Sequence, residues 1–166
     1  MSVFDAFLTA NQSYAQSFNS GDLLMPPARK VAVLTCMDAR LHPEKFLGLD
    51  VGDAHVIRNA GGRASEDAIR SLVISQRLLG TTAIVVIHHT DCGMLTFTNN
   101  DLAQKIHQDL GVDVGDRDFL PFPDLEQSVR DDVALLRSSP LIPQDIPISG
   151  AVYDVRTGSV QEIVRA

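Results

Sequence analysis

The sequence predicts a single α/β domain built on a mainly parallel β-sheet flanked by helices. Three observations predict it. Apolar runs at residues 31–34, 54–58 and 83–88 read as strands, the first and third apolar on both faces as in a helix-covered parallel sheet. A short helical stretch separates the first two runs and a longer one the next two, giving strand, helix, strand, helix, strand. The 166 residues suit one domain, without a repeat, low-complexity segment or linker that would set off a second.

The elements follow in order. Phe4, Phe7, Leu8, Tyr14 and Phe18 fall at partly helical spacing across residues 2–19, and Asn19-Ser20-Gly21 ends that stretch. This N-terminal arm, residues 1–20, packs either on its own domain or on a second subunit; the pattern allows both. Met25-Pro26-Pro27 breaks the chain before the first strand. Pro43 starts a short helix through Leu47, stopped by Gly48. Asn59-Ala60-Gly61-Gly62 reads as a loop whose glycines permit close backbone approach.

Ser65 is placed to cap a helix whose first turn carries Glu66 and Asp67, and Gly80 closes it. Thr98 or Asn99 caps a helix running to Leu110, and Asp124 caps another over residues 125–138 with Val129, Val133 and Leu136 inward. Pro140 and Pro143 end that helix. Residues 148–155 read as a strand, Thr157-Gly158 as a turn and 160–164 as a closing edge strand.

Composition narrows the partners. The net charge is −7 and no basic run occurs, which argues against nucleic acid and anionic membrane. No apolar run approaches the roughly 20 residues of a spanning helix. The N-terminus has an early acid and no apolar secretory core, and there are only two cysteines, so the cytoplasm is the expected compartment. Without a secretory signal, the cysteines point to metal or redox use ahead of a structural disulfide.

Those cysteines sit in two chemically dense stretches, Cys36-Met37-Asp38-Ala39-Arg40 and His89-Thr90-Asp91-Cys92. Cys36 falls just after the first strand, and His89 and Cys92 just after the third. Open α/β sheets gather ligands at the carboxyl ends of their strands, so these groups meet if the two strands are neighbours. Two thiolates and an imidazole suit zinc, and three protein ligands leave a fourth tetrahedral position for water. Water there loses a proton near pH 7. Asp38, in extended alternation with Cys36 and Arg40, could orient the resulting hydroxide, with Arg40 forking onto its carboxylate to keep it off the metal.

Taken singly these signals are weak, since core thiols and surface Asp–Arg pairs are common. His88 rivals His89, but only His89 keeps the two-residue gap to Cys92; His88 reads as buried or supporting. His42, His55 and His107 default to surface or packing roles. A non-catalytic zinc module would need a fourth protein ligand, for which Asp38 is the obvious candidate. A redox dithiol would be expected to show C-x-x-C spacing, which is absent.

With Arg58-Asn59-Ala60-Gly61 and His89-Thr90-Asp91-Cys92-Gly93 added to the first motif, the chain resembles the β-class carbonic anhydrases from about Phe4 to its end, and the short prokaryotic members in particular. The resemblance implies a mainly parallel sheet flanked by helices, in a homodimer or dimer of dimers whose N-terminal helix embraces the partner. It implies Zn2+ held by Cys36, His89 and Cys92, with Asp38 and Arg40 as the catalytic dyad. Gly61, Gly62 and Gly93 would line the substrate pocket. The implied reaction is reversible hydration of carbon dioxide to bicarbonate and a proton by zinc-bound hydroxide. Hydrolases of carbonyl sulfide and carbon disulfide share the zinc residues and are the alternative. Two family features are missing: the substrate-contacting glutamine of plant-type members has no counterpart near Pro27, and there is no tryptophan for a bicarbonate switch site.

Overall fold

The computed structural model describes residues 2–166. Five strands form one sheet: β1 (Val31–Cys36), β2 (Ala54–Asn59), β3 (Ala83–His89), β4 (Ile148–Tyr153) and β5 (Val160–Val164), in the order β2-β1-β3-β4-β5. The first four pair in parallel and β5 runs antiparallel on the edge. The expected α/β architecture is therefore the observed one. Strand order reverses between β1 and β3, and such a switch point opens a crevice at the carboxyl ends of the two strands.

The helices are α1 (Val3–Ser17), α2 (Pro43–Phe46), α3 (Glu66–Arg77), α4 (Asn99–Leu110) and α5 (Leu125–Ser138). Their starts follow from capping chemistry. Ser65 Oγ accepts from the Ala68 N–H, Thr98 and Asp101 form a reciprocal box, and Asp124 accepts from the Gln127 N–H. Helices α3 and α5 share one face of the sheet. Their Leu72, Val133 and Leu136 join Ala32, Leu34, Ile84, Val86 and Ile148 in the main core. Each fully buried Leu or Ile there contributes about 1.5–3 kcal/mol. Helix α5 closes tightly on β4 because residue 150 has no side chain; a Cβ there would meet Val129 Cγ1 at 2.5 Å.

The opposite face is thinner. Val33, Ile87 and Ala151 are buried beneath Phe46, Leu47 and Tyr153, and among the described residues the only helix contributing to that cover is the four-residue α2. Helix α1 buries none of its side chains; Phe4 and Phe7 are 65% and 64% exposed. Of the two packing sites the sequence allowed for this arm, its own domain is the one it does not use.

Two strand ends differ from expectation. β1 extends through Thr35 and Cys36 because parallel pairing with β2 continues to Cys36 opposite Asn59. β3 takes in His89, which pairs with Tyr153 of β4. Both residues close their strands rather than follow them. The expected strand over 148–155 stops at Tyr153, where the chain turns about Asp154: the Gly158 N–H donates to its carbonyl and the Asp154 N–H to Ser159.

Candidate metal centre

Adjacent strands deliver two of the three donors. Cys36 ends β1 and His89 ends β3, and β1 and β3 are hydrogen-bonded neighbours. Thr35 Oγ1 further ties the pair by donating to the Ile87 carbonyl at 2.8 Å. Cys92 is brought back by a tight reversal in which Asp91 adopts φ +55°, an uncommon geometry that Asp tolerates better than most residues. A 3-10 turn over Gly93–Leu95 follows. The reversal is pinned to β4: the Thr90 N–H donates to the Tyr153 carbonyl at 2.9 Å, and Thr90 Oγ1 accepts from the Val155 N–H at 3.1 Å.

Cys36, His89 and Cys92 are buried, and their donor atoms all lie within 4.8 Å of one another. Tetrahedral zinc at its usual bond lengths sets sulfurs apart by about 3.8 Å, so little adjustment is needed. His89 gives the sharper test of fit. Its Nδ1 lies 2.8 Å from the Thr90 carbonyl, which can only accept, so Nδ1 carries the proton. That leaves Nε2 as a lone-pair nitrogen, buried and without a hydrogen-bond partner. A lone pair left unpaired beside two sulfurs is what a bound cation satisfies.

The electrostatics favour thiolate at Cys36. Its pKa is lowered foremost by the neighbouring Cys92 thiol, with burial opposing and His89 and the Asp38 and Gly61 N–H groups assisting. Gly61 N–H lies 3.3 Å from Cys36 Sγ. The same contact, with burial, raises Cys92. Burial disfavours charge on His89, but the neighbouring Cys36 sulfur outweighs it and raises its pKa.

Asp38 and Arg40 sit beside this cluster through a turn, not through the extended alternation the sequence suggested. The Leu41 N–H donates to the Asp38 carbonyl at 3.0 Å and the Arg40 N–H to Asp38 Oδ1 at 2.8 Å. The turn lets the Arg40 guanidinium fold back, Nε to Oδ1 at 3.0 Å and Nη2 to Oδ2 at 2.7 Å. Arg40 foremost holds the Asp38 carboxyl well below the usual carboxylate range. Asp38 Oδ2 remains 3.8 Å from His89 Nε2, so the carboxylate faces the cluster while its oxygens are engaged.

The three glycines singled out in the sequence occupy different places. Gly61 and Gly62 form, with Ala60, a 3-10 turn after β2. Gly62, at φ +69°, packs on β1; a Cβ there would lie 2.9 Å from the Thr35 carbonyl carbon. Gly93 is exposed with open space around it. His88 is fully buried, His55 bonds Ser75 at 2.7 Å, and His42 and His107 are exposed.

Four contributors have roles that the sequence does not assign. Arg58 donates to the Cys36 carbonyl at 3.0 Å and to the Asp38 carbonyl at 2.7 Å, fixing the loop between them. Asp91 gives Arg40 a second carboxylate at 2.7 Å. Asp132 and Arg63 form a buried pair behind the turn. Only Asp132 left a local signal: it lies in helical phase with Val129, Val133 and Leu136, a charge inside an apolar stripe.

Apolar side chains wall the cluster. Leu41, Met94 and Phe122 are buried against Cys36 and Cys92, with Leu95 and Phe97 partly buried around them. Leu95, Phe97 and Phe122 also line a cavity of about 490 Å³.

Known proteins resemble this chain. A family model described as carbonic anhydrase matches residues 31–114. β-Carbonic anhydrase 1 of Mycobacterium tuberculosis is 44% identical over 165 residues, covering 98% of this chain and 99% of that protein. A carbon disulfide hydrolase of Saccharolobus solfataricus is 39% identical, covering 83% of this chain and 79% of its own length. Among solved structures, a carbonic anhydrase from Streptococcus mutans superposes with a TM-score of 0.95 at 58% identity, covering 98% of each chain.

Proposed function

The chain belongs to the β-class carbonic anhydrase family, and we propose that it reversibly hydrates carbon dioxide to bicarbonate and a proton at a zinc ion held by Cys36, His89 and Cys92. The observation that carries this reading is the buried convergence of three zinc-type donors beside a carboxylate that an arginine keeps engaged. Zinc bound there would supply hydroxide at neutral pH by lowering the pKa of water to about 7. Asp38, ionised because Arg40 grips it, accepts a hydrogen bond from the nucleophile and leaves its attacking lone pair free. Arg40 would also keep Asp38 from binding the metal itself. Leu95, Phe97 and Phe122 offer an uncharged gas an apolar surround. The released proton passes to solvent.

Carbon disulfide hydrolysis is the second reading, favoured by the similarity to the Saccharolobus hydrolase. Stopped-flow assays on the purified protein with each gas decide between them. Fast carbon dioxide hydration with little sulfide release is expected; the reverse would overturn the assignment. The two free thiols suit a reducing cytoplasm, and no helix among the described residues is long and apolar enough to cross a membrane.

The working unit in this reading is at least a homodimer. Parallel sheets are normally covered on both faces, yet here one face is thin and α1 stands uncovered. A second copy covering Phe4 and Phe7 would gain about 2 kcal/mol from each ring. Because both subunits carry it, the double substitution Phe4→Glu, Phe7→Glu removes four such rings and should weaken association by at least about a thousandfold. Analytical ultracentrifugation should find a monomer at micromolar concentration; an unchanged dimer would remove α1 from the interface.

A further inference from the structure

A buried charge cluster lies behind the metal centre and plays no part in the chemistry above. Asp132, on α5, has only 3% of its side chain exposed. Its carboxylate takes Arg63 Nε at 2.9 Å, Arg63 Nη2 at 3.0 Å and the Ala64 N–H at 3.1 Å. His88 Nε2 lies 3.2 Å from Asp132 Oδ2 and 3.2 Å from the Gly62 carbonyl. Both oxygens accept, so Nε2 carries a hydrogen between them. His88 Nδ1 meets Ser128 Oγ at 2.7 Å, which fixes the ring from its other side. Phe122 stacks on His88 and lies under Arg63, sealing the cluster from solvent.

Asp132 and His88 together reach one short turn and the two residues that follow it. Asn59 brackets it, donating to the Arg63 carbonyl at 2.7 Å and accepting from the Arg63 N–H at 2.8 Å. Ala64 is held by Asp132 and the Gly62 carbonyl faces His88. Between these anchors, the Gly61 N–H reaches Cys36 Sγ. The turn has little room to shift: at Gly61 a Cβ would meet Met94 Cγ at 2.8 Å and Phe122 Cε1 at 3.2 Å. Burying a carboxylate this deeply is costly unless its partners are fully engaged, and here they are engaged with the turn.

We propose that Asp132 is a positioning residue for the metal centre: anchored to Arg63, Ala64 and His88, it fixes the Ala60–Gly62 turn so that the Gly61 N–H stays aimed at the Cys36 sulfur. The proposal rests on the reading of Cys36 as a zinc ligand. Groups that orient a ligand from behind characteristically change metal affinity by about 10–100-fold when altered.

The test uses the zinc-loaded protein and its cobalt-substituted form. In Asp132→Asn, transfer of zinc to a competing chelator should quicken at least about tenfold. The sulfur-to-cobalt charge-transfer band should move to longer wavelength, because the sulfur loses a hydrogen-bond donor. A role confined to holding α5 on the sheet would lower the unfolding midpoint while leaving transfer rate and band unchanged in the folded variant, and would overturn the proposal. Should Asp132→Asn not fold, His88→Gln and His88→Leu decide it. Glutamine keeps an N–H for the Gly62 carbonyl and should hold zinc nearly as wild type, whereas leucine should lose it about tenfold faster; equal rates would overturn the proposal. A wild-type protein that binds neither metal would refute the zinc reading itself.

Discussion

Cys36→Ser should abolish zinc binding and activity together. A serine hydroxyl stays protonated where the thiol ionises readily, so the site would lose an anionic ligand and the sulfur that the Gly61 N–H faces. Altering a group that merely orients a ligand costs 10–100-fold in metal affinity, so losing the ligand itself should exceed about 100-fold. The sheet should survive, because β1 is held by backbone pairing to β2 and β3. Zinc content by elemental analysis should fall from about one per chain to near zero, with turnover falling alongside at unchanged circular dichroism. A serine variant that kept both would remove Cys36 from the ligand set.

Asp38→Ala should separate binding from turnover. Asp38 contributes no donor to the converging trio, so zinc should stay at wild-type stoichiometry. What is lost is the acceptor that orients the nucleophile, and misorientation of this kind costs about 100-fold in rate. Arg40 would keep its contacts to Asp91 and stay near the site. A fully active variant would refute the orienting role. The pH sign is also defined. Arg40 lowers the Asp38 pKa, so the ion pair is present above about pH 4, the ordinary carboxylate range, and is given up only as pH falls below it. Loss of activity between pH 8 and 6 would therefore report another group, and metal-activated water titrates in that range.

Much of this was legible because it is local. Apolar runs marked the strands, and Ser65, Thr98 and Asp124 marked helix starts through bonds spanning three residues. The convergence of Cys36, His89 and Cys92 is legible because strand ends gather side chains and only two cysteines exist. Other features depend on pairing across the chain, which local pattern does not carry. The extension of β1 to Cys36 and of β3 to His89 follows from ladder register with β2 and β4. Arg63 and Asp132 are 69 positions apart and meet only because α5 packs beside the turn. Arg58 belongs to a legible motif, but its grip on two carbonyls requires β1 and β2 side by side. The spacing of Asp38 and Arg40 suggests extended chain, whereas a short polar side chain capturing the N–H two residues on makes a turn. Asp132 was the readable omission, since a lone acid in phase with buried aliphatics calls for a buried cation.

Anomalous diffraction at the zinc edge, on crystals grown at neutral and alkaline pH, tests the central claim most directly. One strong peak is expected, bonded to Cys36 Sγ, His89 Nε2 and Cys92 Sγ, with solvent in the fourth position and Asp38 still forked on Arg40. No peak between those three side chains, or Asp38 bonded to the ion at both pH values, would contradict it.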